Sequence, residues 1–316
     1  MSPYRAPWWL PGGHLQTIVA SLSPVPRVAY ARERWDTPDG DFVDVDWAGD
    51  ADSPRRLALF HGLEGSSGSH YARALAAHAS SQGWRIAVPH FRGCSGTLNR
   101  LPRAYHSGDS DEVDWMLRRL ASAGRPLYAI GVSLGGNVLL KWLGERGESA
   151  ARLVRRAAAV SAPIDLAASG GALDRGVNRR LYTRLFLTTL KAKAFAKLAL
   201  GQVPLDSRRL ARVRTLHEFD DMVTAPLHGF RDADDYWARA SSAPWLRGIR
   251  VPTLLLNARN DPFLPASALQ RAARGASDTV VLEFPATGGH AGFVAGPFPG
   301  RHGWMPRRIL EFFSQP

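Results

Sequence analysis

Six short apolar runs constrain this chain more than any other feature: "RRLALFH" (55–61), "WRIAVPH" (84–90), "PLYAIGV" (126–132), "RAAAVSA" (156–162), "VPTLLLNA" (251–258) and "TVVLEFP" (279–285). Each is the length of a strand and too short for a buried helix. Helical patterns fall between them, among them "SHYARALAAHASSQG" and "DSDEVDWMLRRLASAG". Strands alternating with helices specify a mostly parallel sheet covered by helices on both faces. Upstream, "RERWDTPDGDFVDVDWAG" alternates around Asp39-Gly40 and reads as an antiparallel hairpin, giving about eight strands in all. The rhythm stops between about residues 163 and 243, where "RRLYTRLFLTTLKAKAFAKLALG" replaces any strand. The expectation is one α/β domain over 1–316, with a helical cap inserted at about 163–243 and an N-terminal extension at about 1–30.

The apolar run 126–132 leads into Gly131-Val132-Ser133-Leu134-Gly135, and "GNVLLKWLGE" leaves it with a helical pattern. A G-x-S-x-G sequence at a strand-to-helix junction lifts the serine hydroxyl above the sheet, beside the free amides of a helix N-terminus. A serine hydroxyl attacks only when a base removes its proton, so a histidine and a carboxylate must follow. "RNDPFLP" after the run 251–258 supplies Asp261, and "ATGGHAGF" after 279–285 supplies His290. Both fall just beyond strand ends and in the order this architecture uses. Ser133, Asp261 and His290 are therefore the expected catalytic residues. Asp165, after the run 156–162, is a second candidate acid or simply a turn residue. For the oxyanion, the expected donors are the backbone N–H groups of Leu134 and, in "HGLEGSSGSHY", of Leu63 beside Gly62. His61 reads as a loop-fixing residue and Cys94 as a small packing residue.

These segments, with "HFRGCSGTLNR", "NARNDPFLP", "PWWLPGGHLQT" (7–17) and "EFDDMVTAPLHGFRDADDYW" (218–237), resemble the YheT-like branch of the α/β-hydrolase superfamily over nearly the whole chain. The resemblance implies an α/β-hydrolase fold with a cap, the Ser-Asp-His site placed as above, and hydrolysis of carboxylic esters or lipid esters. Neither a metal nor an organic cofactor is expected, and the partner is a small acyl ester. Acyl transfer by the same residues, and a non-catalytic ligand-binding protein on this fold, are the competing readings. The branch motifs carry no mechanism that the sequence discloses. Trp8 and Trp9 read as a tether of the N-terminus onto the body, and the aspartates of 218–237 as caps and ion-pair partners rather than metal ligands.

Charge does not choose a function. The net charge is +12, but 36 of the 40 basic residues are Arg, they occur along the whole chain, and no nucleic-acid motif accompanies them. Residues 179–200 mix leucines and phenylalanines with Arg179, Arg180, Arg184, Lys191, Lys193 and Lys197. They read as a cap helix with its apolar face on the body and its charges in solvent, a surface that could also touch a membrane transiently. One cysteine, no spanning segment and no signal-peptide pattern at the N-terminus suggest a soluble cytoplasmic protein. Oligomeric state is not legible.

Overall fold

The six apolar runs become the parallel strands of one eight-stranded sheet, in a computed structural model that describes residues 3–315. The hairpin supplies β1 (Ala31–Asp36) and β2 (Phe42–Ala48). The parallel strands are β3 (Arg56–Phe60), β4 (Arg85–Pro89), β5 (Leu127–Val132), β6 (Ala157–Val160), β7 (Thr253–Leu256) and β8 (Val280–Glu283). Their order is β1-β2-β4-β3-β5-β6-β7-β8, with β1–β2 and β2–β4 antiparallel and every later pairing parallel.

Burial explains why these strands read as continuous apolar runs rather than as an alternation. Successive residues of β3 enter opposite cores. Ala58 and Phe60 join Val113, Met116, Val138 and Trp142 on one face, while Leu57 and Leu59 join Leu75, Ile309 and Phe312 on the other. The helices on the sheet include α2 (His70–Ser81), α3 (Ser110–Ala121) and α4 (Leu134–Arg146), while α1 (Gly13–Leu22) packs against α2 and the β6–β7 segment. Helix α3 carries Asp111 and Glu112 in its first turn and Arg118 and Arg119 in its last, as the helix dipole favours.

Between β6 and β7 the described residues form helices and no strand. This segment has a core of its own, in which Leu173, Tyr182, Leu187, Leu210 and Phe219 pack with Phe263 from the loop after β7. One helical run, Gly176–Ala199, contains a π-helical turn at Arg179–Thr183. Its facing differs from the sequence expectation. Leu181 and Leu185 are exposed, whereas Lys193 is half-buried and Lys197 buried. The run has apolar residues on every side and a wide π turn near its start, so no single amphipathic stripe fixes its orientation.

The aspartates of 218–237 act as hydrogen-bond acceptors. Asp220 accepts from Thr224 Oγ1 at 2.6 Å and Trp237 Nε1 at 2.8 Å, and Asp232 caps helix Ala233–Ala240 through the Asp235 amide. At the N-terminus only half of the aromatic tether exists. Trp9 donates from Nε1 to Gly296 O at 3.1 Å and packs edge-on against Phe298, but Trp8 is 93% exposed.

Asn137 is the polar pin of α4. Fully buried, it donates from Nδ2 to Ser107 O and Ala240 O at 2.8 Å each and accepts from the Ser242 amide at 3.0 Å. It thereby ties α4 to the loop before α3 and to the chain re-entering from the β6–β7 segment. Asn137→Leu leaves three buried backbone groups unpaired and is expected to lower unfolding free energy by at least about 3 kcal/mol, read from urea denaturation.

Candidate active site

The site begins with a forced turn. Ser133 has φ 55° and ψ −122°, a backbone that costs a residue with a Cβ about 1–3 kcal/mol. Two glycines make it possible. A Cβ on Gly131 would lie 2.7 Å from Gly136 Cα and strike Gly135 O, and one on Gly135 would lie 2.6 Å from His61 O and strike Phe60 O. The turn is anchored on both sides, by the Ser133 amide to Val160 O at 2.8 Å and by the Asn137 amide to Ser133 O at 3.0 Å.

The structure brings Ser133, His290 and Asp261 together. Ser133 Oγ lies 2.9 Å from His290 Nε2, and His290 Nδ1 lies 2.9 and 3.1 Å from the two carboxylate oxygens of Asp261. An aspartate on Nδ1 fixes the tautomer: the proton sits there, and Nε2 is left to accept from the Ser133 hydroxyl. Asp261 is buried and also accepts from the Phe263 amide at 2.8 Å. The Phe263 ring stacks on the imidazole with centroids 4.0 Å apart. Asp165 plays a different part. Its carboxylate caps helix Leu166–Leu173 through the Ala168 amide at 3.0 Å.

In the loop after β3 the amides on either side of Leu63 are occupied. The Gly62 amide donates to Tyr71 Oη at 2.8 Å, that of Glu64 to Tyr105 Oη at 2.8 Å, and that of Gly65 to Gly62 O at 2.9 Å. Among the described residues the Leu63 amide has no protein acceptor, and neither has that of Leu134 at the start of α4. Both leucines line the same cavity as Ser133 and His290. His61 braces the loop. Its Nε2 accepts from the Phe91 amide at 3.1 Å, so Nδ1 carries the proton and donates to Gly62 O at 2.8 Å. Burial pushes its pKa down to about 3, so this ring stays neutral.

That cavity, of about 150 Å³, lies between the body and the helical segment. Leu166, Leu173, Phe186, Leu190, Leu216, Phe219 and Val223 give its wall on the helical side an apolar surface. At its edge Lys193 Nζ donates to Glu64 Oε1 at 2.7 Å and approaches Cys94 Sγ at 3.3 Å. Lys197 donates to Leu101 O, and burial lowers its pKa to about 8. Burial raises the Cys94 thiol to about 11, which leaves it protonated and a poor nucleophile.

The residues that sequence reasoning missed hold the histidine loop from α1. Thr17 Oγ1 accepts from the His290 amide at 2.8 Å and donates to Gly13 O at 2.7 Å. Gln16 Oε1 accepts from the Gly288 amide at 2.8 Å and from Asn260 Nδ2 at 2.9 Å, while Asn260 Oδ1 accepts from the Gly289 amide at 3.0 Å. Ser161 Oγ takes the Ala291 amide at 2.9 Å. Four consecutive amides, Gly288 to Ala291, are thus held by side chains, three of them directly or indirectly from α1. The only sequence signal was the segment "PWWLPGGHLQT" itself.

A mostly parallel sheet with helices on both faces and a serine turn after the fifth strand defines a class, and the family comparison agrees. The alpha/beta hydrolase fold model matches residues 56–297, and the chain belongs to that family. Among individual proteins, the Escherichia coli "Putative esterase YheT" is 39% identical over 310 residues, covering 95% of this chain and 90% of that one. Mouse "Phospholipase ABHD3" is 29% identical over 297 residues, covering 91% of this chain and 72% of its own. An esterase of Pyrococcus furiosus shares the fold at a TM-score of 0.59 and 19% identity, covering 90% of this chain and 91% of its own.

If α1 sets the position of His290, removing one acceptor should slow the serine without unfolding the protein. Thr17→Val is expected to reduce phosphonylation of Ser133 by a fluorophosphonate about tenfold, the cost of a displaced base. Thr17→Ser, which keeps the oxygen, should react at the wild-type rate.

Proposed function

We propose that this chain is a serine hydrolase that cleaves carboxylic esters through an acyl-enzyme. The observation that carries the reading is the hydrogen-bonded line from Ser133 Oγ through His290 to Asp261, entered from a strained turn at the cavity wall. The designations of the E. coli and mouse relatives as esterase and phospholipase support ester chemistry. In this reading Ser133 Oγ attacks the acyl carbon while His290 Nε2 takes the hydroxyl proton. The carbonyl oxygen becomes an oxyanion that the Leu63 and Leu134 amides stabilise, and Asp261 stabilises the imidazolium. Collapse breaks the bond to the alcohol, which leaves with the proton from His290. Water then attacks the acyl-serine with His290 again as base, and the acid departs as Ser133 is restored.

The cavity bounds the acyl group. The cavity beside Ser133, about 150 Å³ and lined mostly by apolar surface, has room for a hydrocarbon of about six carbons. Acyl chains of about four to eight carbons should therefore react fastest, and longer chains require the helical segment to move.

The test is hydrolysis of a p-nitrophenyl ester series from acetate to palmitate. Turnover should peak near the short-to-medium chains and fall more than about 10³-fold in Ser133→Ala. Asp261→Asn should fall about 10⁴-fold, because an amide NH2 facing Nδ1 favours the wrong imidazole tautomer and no charge stabilises the imidazolium. Equal turnover in wild type and Ser133→Ala would remove the serine mechanism.

A further inference from the structure

The excess positive charge of this chain sits mainly in one place. Residues 175–214 hold eight Arg and three Lys against a single acidic residue, Asp206, a net of +10 out of the chain's +12. The other 276 residues nearly balance. All eight of these arginines are exposed, and among the described residues none is paired with a carboxylate. Elsewhere several arginines do find carboxylates, among them Arg32 with Asp46, Arg34 with Asp44 and Arg92 with Asp41. On the outer side of the helical segment a groove is lined by Arg179, Arg180, Arg184, Lys191 and Arg214, and no acidic side chain lines it.

Beside these cations runs an apolar stripe. Val177, Leu181 and Leu185, spaced i, i+4 and i+8 along one helical run, are 55%, 46% and 66% exposed. Single exposed leucines are ordinary on a protein surface, but a helical row of them flanked by unpaired arginines is not. Arginines alone would suit any polyanion. The stripe adds a requirement for an apolar layer directly behind the negative charge, and a lipid interface provides both. A nucleic acid provides only the first.

We propose that the outer face of this segment docks on a lipid surface rich in anionic headgroups, the arginines meeting phosphates and the Val177–Leu185 stripe entering the headgroup–acyl boundary. Docking is independent of the ester-hydrolase reading, but the two share an element. The helix that presents the stripe also turns Phe186, Leu190 and Lys193 into the cavity beside Ser133. A lipid surface engaged from outside thus lies one helix away from the proposed acyl pocket.

The full-length protein is tested by sedimentation with vesicles of phosphatidylcholine alone and of phosphatidylcholine with an equal part of phosphatidylglycerol, and by binding to heparin as a soluble polyanion. Wild type should bind the anionic vesicles and not the neutral ones. R179E/R180E/R184E should lose about 100-fold in vesicle affinity. L181S/L185S should lose about tenfold on vesicles while keeping its affinity for heparin. Both variants should keep the wild-type circular-dichroism spectrum and melting temperature, which establishes that they fold. Wild-type binding equal on both vesicle types, or absent from both, would overturn the proposal. So would undiminished binding by the arginine variant, or vesicle binding untouched by the leucine changes, which would mark a general polyanion surface. Vesicle binding is read without turnover, so its failure and that of the hydrolase reading are distinguishable.

Discussion

Ser133 holds a left-handed backbone at the junction of β5 and α4, and almost every contact in its neighbourhood serves to keep it there. The strand before it is buried on both faces, and the helix after it is buried along most of its length. Neither can relax toward an ordinary turn without breaking the core. Gly131 gives the clearance for the chain to turn against Gly135 and Gly136, and Gly135 lets it pass against the carbonyls of Phe60 and His61, which holds the loop after β3 against the serine. One backbone constraint thus positions both the hydroxyl and the free amide of Leu63.

The histidine side of the site is built on different principles. Where the serine side depends on packing and local backbone geometry, the loop around His290 depends on side chains borrowed from elsewhere: Thr17, Gln16, Asn260 and Ser161. The same helix α1 also touches the β6–β7 segment, where His14 Nδ1 lies 3.2 Å from Tyr182 Oη and Ile18 packs into that segment's core. A single short helix therefore contacts both the loop that carries the proposed base and the core of the β6–β7 segment.

These differences decide what could be read from the sequence. The parallel strands were legible because burial on both faces makes them uniformly apolar, and Ser133 because its turn demands glycines at fixed offsets. Asp261 and His290 were legible as positions just past the β7 and β8 runs, in an order that the architecture sets. Thr17 and Gln16 were not, since a hydrogen bond to an amide 273 residues away imposes no periodicity on its surroundings. The orientation of Gly176–Ala199 was hidden for the opposite reason: it offers apolar residues to every side, so only tertiary packing chooses which leucines stay outside. Trp8 was misplaced because an aromatic residue between prolines looks buried whether or not the fold has room for it. The charge distribution was visible in principle, but arginines spread along the whole chain masked the stretch that carries almost no acidic residue.

A loop held across 273 residues also belongs to a different stability class from the sheet it sits on. The serine turn opens only if the core opens, whereas the brace on His290 is released as soon as α1, ten residues long, comes away from the loop. Local opening of one helix can therefore disassemble the reactive array while all eight strands remain paired. For the proposed nucleophile, the threshold for losing reactivity lies below the threshold for unfolding, so moderate heat or denaturant would yield a native-looking sheet with Ser133 no longer aligned to His290.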